Sequence, residues 1–327
     1  MTASHLPSHN PPFQQQLESA LNHYKAGQLT VAAAVCQQVL QQQPDVVEAI
    51  ALLGRIAEQL GHHEAAAHYL LQVAKLRPDS AETYNLLGNA LQRLRKFAES
   101  VSCYQRAIAL QPNFPGAYNN LGSALQELGR YQASVLCYQK ALQLRPDYAD
   151  AYYNLGNNYR HQDNLEAARR AYAQAIALDP NFTLAYNNLG LTLADMGKPE
   201  EAIPWYERAI ALQPDNADAH QNLGLALLQL GDLETGFWEY EWRWRAMGPD
   251  NRPPRPFPQP LWDGSDLHGQ TILLHAEQGY GDTLQFVRYA ALVAAKGGRV
   301  LLECQPALTR LLATLPHVAQ VIPAGDP

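Results

Sequence analysis

The stretch Ala185-Tyr-Asn-Asn-Leu-Gly-Leu-Thr-Leu-Ala194 carries apolar residues at helical spacing. A turn at Gly197 follows, then Ala202, Tyr206 and Ala209, and the phrase closes at Pro214. Two helices joined by a short turn account for it. Moving back from Pro214 at a constant interval (214 − 180, 180 − 146 and so on) lands on Pro180, Pro146, Pro112, Pro78 and Pro44. With 22 prolines among 327 residues, five such coincidences have odds on the order of one in a million, so the chain contains an internal repeat. Leu-Gly pairs keep the same step, from Leu53-Gly54 through Leu87-Gly88, Leu121-Gly122, Leu155-Gly156 and Leu189-Gly190 to Leu223-Gly224.

Each unit therefore reads as helix A, turn, helix B. The glycine of helix A and the alanines of helix B let two antiparallel helices approach closely, while Tyr104, Tyr138, Tyr172 and Tyr206 fill the space between units. The proline ends helix B, because it donates no amide hydrogen and its ring clashes with the preceding turn.

With its 34-residue period and its Leu-Gly, Ala, aromatic, Ala and Pro positions, the chain resembles the tetratricopeptide repeat family. Six units start near residues 13, 47, 81, 115, 149 and 183, and a seventh, degenerate one begins at Ala217. The first has Ser19-Ala20 in place of Leu-Gly, as an end cap would. The seventh loses its alanine and proline positions to Gly236, Arg243 and a shifted Pro249 and carries the aromatic run Phe237-Trp-Glu-Tyr-Glu-Trp-Arg-Trp244, as a junction would.

A stack of such hairpins leaves its A helices lining a concave groove, which makes polypeptide binding the expected function. Asn120, Asn154, Asn188 and Asn222 stand just before the Leu-Gly pairs and keep the same interval, and Leu86 interrupts the column in the third unit. Two roles fit this ladder. An asparagine amide offers donors and an acceptor, so a column of them can hold the backbone of an extended peptide regardless of its side chains. Equally, the asparagines can cap or bridge helices between units. The repeats look like those of O-linked N-acetylglucosamine transferases, and that resemblance implies the peptide-holding role.

Composition narrows the alternatives. A formal charge of -7 and a pI near 5.9 leave no electrostatic footprint for a phosphate backbone, so nucleic acid is not expected as a partner. Cys36, Cys103, Cys137 and Cys304 show no Cys-x-x-Cys spacing and read as core fillers rather than disulfides or metal ligands. The run His62-His63-Glu-Ala-Ala-Ala-His68 has the wrong spacing for a zinc-protease helix and reads as a surface turn. No metal and no cofactor are expected. Neither a signal segment nor an apolar stretch long enough to cross a membrane is visible, and the expected location is cytoplasmic. The sequence gives no indication of oligomeric state.

From residue 251 the composition shifts to the proline-rich stretch 251–260, read as a linker. Beyond it, Thr271 to His275, Arg299 to Cys304 and Gln320 to Ile322 read as strands, and Thr283 to Lys296 and Pro306 to Leu315 as helices, the start of a parallel doubly wound sheet. The turn after the first strand contains Gly279, Gly281 and Asp282. Two glycines there would let backbone amides approach a ligand, with Asp282 at the mouth to accept a hydroxyl proton; alternatively Asp282 caps the helix. This segment resembles the beginning of the glycosyltransferase region that follows such repeats in many bacterial proteins. Its Gly281-Asp282 is similar to the Gly-Asp of lipopolysaccharide heptosyltransferases, which implies a GT-B fold and makes Asp282 the base that activates the acceptor. A second sheet domain for a nucleotide sugar does not follow.

The expected architecture is thus mostly α: a right-handed tetratricopeptide repeat superhelix, an α-α solenoid, followed by a partial α/β Rossmann-like segment. Residues 1–12 are expected to be disordered, 13–250 to hold the repeats, 251–260 the linker and 261–327 the partial α/β unit. The expected function is a scaffold binding extended polypeptide in its concave groove. The alternative is a truncated glycosyltransferase that would use a nucleotide-sugar donor.

Overall fold

The computed structural model describes residues 11–246, 259–276 and 279–325. Most of the expected amino-terminal tail and linker lies outside these residues. The chain divides into two compact units, Met1–Ala246 and Met247–Pro327.

The first unit is a series of helical hairpins. Helices α1 (Pro11–Lys25) and α2 (Leu29–Gln42) form the first, α3 (Val47–Gln59) and α4 (His63–Leu76) the second, α5 (Ala81–Arg93) and α6 (Phe97–Leu110) the third. The series continues with α7 (Pro115–Glu127) and α8 (Tyr131–Leu144), α9 (Ala149–His161) and α10 (Leu165–Leu178), and α11 (Thr183–Asp195) and α12 (Pro199–Leu212). Each repeat proline stands one residue after the C-cap of a B helix, for example Pro78 after Arg77 and Pro146 after Arg145. Each B helix packs against its own A helix and against the A helix that follows, and consecutive A helices also touch one another directly. The A helices therefore share one wall of the stack.

Helix A is reversed into helix B by a single residue in the left-handed region. Gly27, Gly61, Gly129, Gly197 and Gly231 supply it at φ between 71° and 90°, whereas Arg95 (φ 59°) and Asp163 (φ 57°) take the same position without glycine's freedom. The tyrosines do more than fill gaps between units. Tyr104, Tyr138, Tyr172 and Tyr206 are completely or almost completely buried, and each ring rests on the Leu-Gly glycine of its own hairpin. Tyr104 also packs with Leu121 and Leu125 of the next A helix, which ties neighbouring hairpins together.

The seventh hairpin is shortened. After α13 (Ala217–Leu230), helix α14 runs only from Leu233 to Tyr240 and α15 from Arg243 to Ala246. A Cβ on Gly224 would meet the backbone nitrogen of Tyr240 at 2.5 Å, so here backbone replaces a tyrosine ring as the surface pressed on the glycine. Arg243, buried at a position that is alanine in the sixth unit, donates to Tyr240 O (3.2 Å) and Glu241 Oε1 (2.6 Å) and lies over the rings of Tyr240 and Trp244. His220 stacks on Trp242 at 4.0 Å between ring centres.

The second unit holds a three-stranded parallel sheet, β1 (Thr271–His275), β2 (Arg299–Cys304) and β3 (Gln320–Pro323), in that order. The expected helix 283–296 is broken. Helix α16 (Tyr280–Phe286) starts earlier, a 3-10 turn spans Val287–Tyr289, and α17 covers Ala290–Ala295. The tight turn lets Val287 join Leu302 and Cys304 while Ala290 and Val293 pack on Ile272 and Val300. The expected helix 306–315 is reduced to a 3-10 turn and α18 (Thr309–Leu312), since Leu315 precedes Pro316 and is steered away from helical geometry.

Candidate functional site

The four ladder asparagines all lie on A helices, on the shared wall, each partly exposed. Their amide groups reach backward to the preceding hairpin. Asn120 Nδ2 donates to Asn85 Oδ1 (3.1 Å) and Asn89 Oδ1 (2.9 Å). Asn188 Nδ2 donates to Tyr153 Oη (3.2 Å) and Asn157 Oδ1 (3.0 Å). Asn154 and Asn222 donate once each, to Asn119 Oδ1 (3.0 Å) and Asn187 Oδ1 (3.0 Å). The ladder thus does bridge helices between units, one of the two roles that its spacing allowed.

Residues without a place in the ladder complete the seam. Tyr104 Oη donates to Asn89 Oδ1 (2.9 Å) and Tyr172 Oη to Asn157 Oδ1 (2.7 Å). Asn89 and Asn157 therefore each receive a tyrosine from their own hairpin and an asparagine from the next. Reasoning from the sequence missed them. The available signal was the Asn-x-x-Asn spacing of Asn154 and Asn157, which places both on one helical face.

Toward the first hairpins the wall changes character. A cavity of about 730 Å³ opens among the A helices α1, α3 and α5, lined by Phe13, Leu17, Leu21, Ala51, Leu52 and Leu86. The ladder positions here, set at the repeat interval (52 − 18 and 86 − 52), are Glu18, Leu52 and Leu86, and all three line the cavity. Its rim is charged: Arg55 pairs with Glu82 (2.5 Å) and Arg77 pairs with Glu48.

Ionisable groups elsewhere in the repeats are tuned for burial. Desolvation pushes the thiols of Cys36, Cys103 and Cys137 up to about 11, with Glu99 adding to the effect at Cys103. The four buried tyrosine hydroxyls are raised for the same first reason. His63 Nδ1 lies 3.3 Å from Glu58 Oε2, and His68 Nε2 lies 2.9 Å from Gln72 Nε2. Among the described residues no cluster of His, Cys, Asp and Glu could hold a metal, and no helix is long and apolar enough to cross a membrane.

In the second unit, Asp282 is exposed at the third position of α16, and Gly279, not Asp282, is the N-cap. Asp282 therefore does not cap the helix. Neither Gly279 nor Gly281 has positive φ, and a Cβ on Gly281 would meet nothing within 4 Å, so the backbone does not demand glycine at either place. Thr283 Oγ1 sits 3.2 Å from Gly279 O and 3.0 Å from Gln305 Oε1, tying the start of α16 to the residue after β2. That link was not visible in the sequence.

Models described as tetratricopeptide repeat match residues 23–90 and 80–111, and one described as TPR repeat matches residues 96–129, 122–159, 156–197 and 192–231. The chain belongs to the tetratricopeptide repeat family. Among solved structures, these tetratricopeptide repeats are similar to PilW, a widely conserved type IV pilus biogenesis factor, at 19% identity and a TM-score of 0.61, over 66% of this chain and 100% of PilW. A tetratricopeptide repeat protein from Parabacteroides merdae is similar at 15% identity and a TM-score of 0.61, over 73% and 94% of the two chains. The Cut9–Hcn1 hetero-tetramer of the APC/C matches at 21% identity and 0.58, over 65% of this chain and 42% of that one. At these identities the likeness concerns the fold. No curated protein matches the chain.

Proposed function

We propose that the repeat unit is an interaction scaffold. Its hairpins wind as a right-handed superhelix, and the concave A-helix wall captures an extended polypeptide whose backbone lies along Asn120, Asn154, Asn188 and Asn222. The observation that carries this reading is the pairing, on one wall, of a partly exposed amide seam with an apolar cavity of about 730 Å³. An extended chain needs both, amides to meet its backbone and an apolar recess to accept a side chain. At ~1 kcal/mol net for each hydrogen bond, the seam alone supports binding weaker than micromolar, and side-chain burial in the cavity adds to it. The test is fluorescence anisotropy of a fluorescein-labelled pool of random decapeptides titrated with the full chain. Saturable, sequence-tolerant binding is expected; no change in anisotropy up to about millimolar protein sinks the reading.

A second reading concerns the carboxy-terminal unit. Asp282 is exposed just beyond the carboxyl end of β1 in a parallel sheet, the end at which ligands of such sheets gather. This favours a glycosyltransferase reading in which Asp282 is the acceptor base beside Gly279 and Gly281 and a nucleotide sugar is the donor. Release of nucleotide from UDP- or ADP-sugars by the full chain, lost in Asp282→Asn, is its test; no turnover by the unaltered chain counts against it.

A further inference from the structure

The ladder asparagines are not equivalent. Asn120 and Asn188 spend both amide hydrogens on the preceding hairpin, and each Oδ1 faces a neighbouring amide, Asn119 Nδ2 and Asn187 Nδ2, at 3.4 Å. Asn154 and Asn222 spend one hydrogen each. Their Oδ1 atoms accept no hydrogen bond among the described residues, and these atoms are not buried. The cause lies three positions after the ladder residue of the preceding hairpin. That place holds Asn89 before Asn120 and Asn157 before Asn188, but Ser123 before Asn154 and Leu191 before Asn222. Ser123 Oγ already accepts from Gln92 Nε2 (2.8 Å), and leucine offers no acceptor. Engaged and available amides therefore alternate along the wall.

We infer that Asn154 and Asn222 are the residues that hold polypeptide, while Asn120 and Asn188 lock adjacent A helices; this rests on the groove reading above. Each available amide keeps one N–H and one C=O, the complement of the C=O and N–H of a single peptide residue. The pair stands two hairpin steps apart. At about 10 Å for each packed hairpin the amides are about 20 Å apart, the span of roughly six residues of extended chain. The groove thus grips a backbone at two points with a free stretch between them.

The test uses the full chain and two labelled pools, random decapeptides and random tetrapeptides. Decapeptides are expected to bind the unaltered chain, and tetrapeptides, too short to reach both amides, about tenfold or more weaker. Asn154→Ala and Asn222→Ala, which each give up one bond to the preceding hairpin, should lower decapeptide affinity by about tenfold with only a small drop in melting temperature, whereas Asn120→Ala and Asn188→Ala, which give up two, should lower the melting temperature more and leave affinity in place. Ser123→Asn removes no ladder residue and supplies the acceptor found at Asn89 and Asn157. It should weaken decapeptide binding while the melting temperature holds or rises. Without any peptide, the side-chain amide hydrogens of Asn120 and Asn188 should exchange with solvent more slowly than those of Asn154 and Asn222. Equal losses of affinity at all four asparagines, or uniform exchange, overturn the alternation while the groove reading survives. If the unaltered chain binds neither pool, both fall.

Discussion

The ring of Tyr172 lies over the bare Cα of Gly156, where an alanine methyl would stand 2.6 Å from Cε1. The same approach recurs at Gly88 with Tyr104, Gly122 with Tyr138 and Gly190 with Tyr206, at 2.5 to 2.7 Å. In the second hairpin the partner is instead Leu70, at 3.0 Å from a Cβ on Gly54. A rigid, wholly buried ring cannot yield as a branched aliphatic side chain can. Gly156→Ala is expected to cost about 1–3 kcal/mol in urea denaturation through overpacking, and Gly54→Ala distinctly less. Equal losses at both positions would remove the ring as the cause.

Left-handed turns make a prediction of the opposite sign. Arg95 and Asp163 hold a conformation that glycine supplies in the other hairpins. An L-residue there costs ~1–2 kcal/mol, from which glycine's greater unfolded-state freedom subtracts. Arg95→Gly and Asp163→Gly should each stabilise the chain by roughly 0.5–1 kcal/mol, seen as a higher urea midpoint at unchanged slope. Gly129→Ala, which forces a side chain into the same region, should destabilise it.

Asn157 accepts from both Tyr172 and Asn188, so its removal strands two donors at once. Asn157→Ala is expected to cost about 1–3 kcal/mol. Asn154→Ala gives up a single bond and should cost less. Hydrogen exchange of the α9 and α11 backbone amides would report the loosening locally.

Alkaline pH should weaken the repeats. Below the ordinary thiol pKa of 9.0, Cys36, Cys103 and Cys137 are neutral whether folded or not. Between there and about 11 the unfolded chain releases protons that the folded chain keeps, so stability falls as pH rises through that window. The buried tyrosines extend the same trend upward. Denaturant midpoints measured from about pH 8 to about pH 11 should fall, and less steeply in a variant with the three cysteines changed to alanine. A flat profile would contradict the burial argument.

The hairpins were legible because Pro, Leu-Gly and tyrosine positions repeat with a constant step, and each constrains backbone geometry by sterics alone. The ladder was legible as a column but not as two classes, because what distinguishes Asn154 from Asn188 sits on the preceding A helix of each, at Ser123 and Asn157. Only the packing of one A helix on the next brings such pairs together. The cavity among α1, α3 and α5 escaped notice for a related reason: Leu52 and Leu86 look like ordinary core residues until the wall they stand on is seen to be open. In the second unit the strands were visible as apolar runs, yet the break at Val287–Tyr289 depends on two separate apolar clusters that one helix must serve.

Asn157 follows Asn89 at twice the interval (157 − 89) that separates one repeat proline from the next (112 − 78). The solenoid therefore has a two-hairpin rhythm laid over its one-hairpin beat. Excising one hairpin would bring like asparagines side by side and put the track out of phase, whereas losing or gaining two together would keep it in step. Only an even change in the number of hairpins would preserve the alternation along this wall.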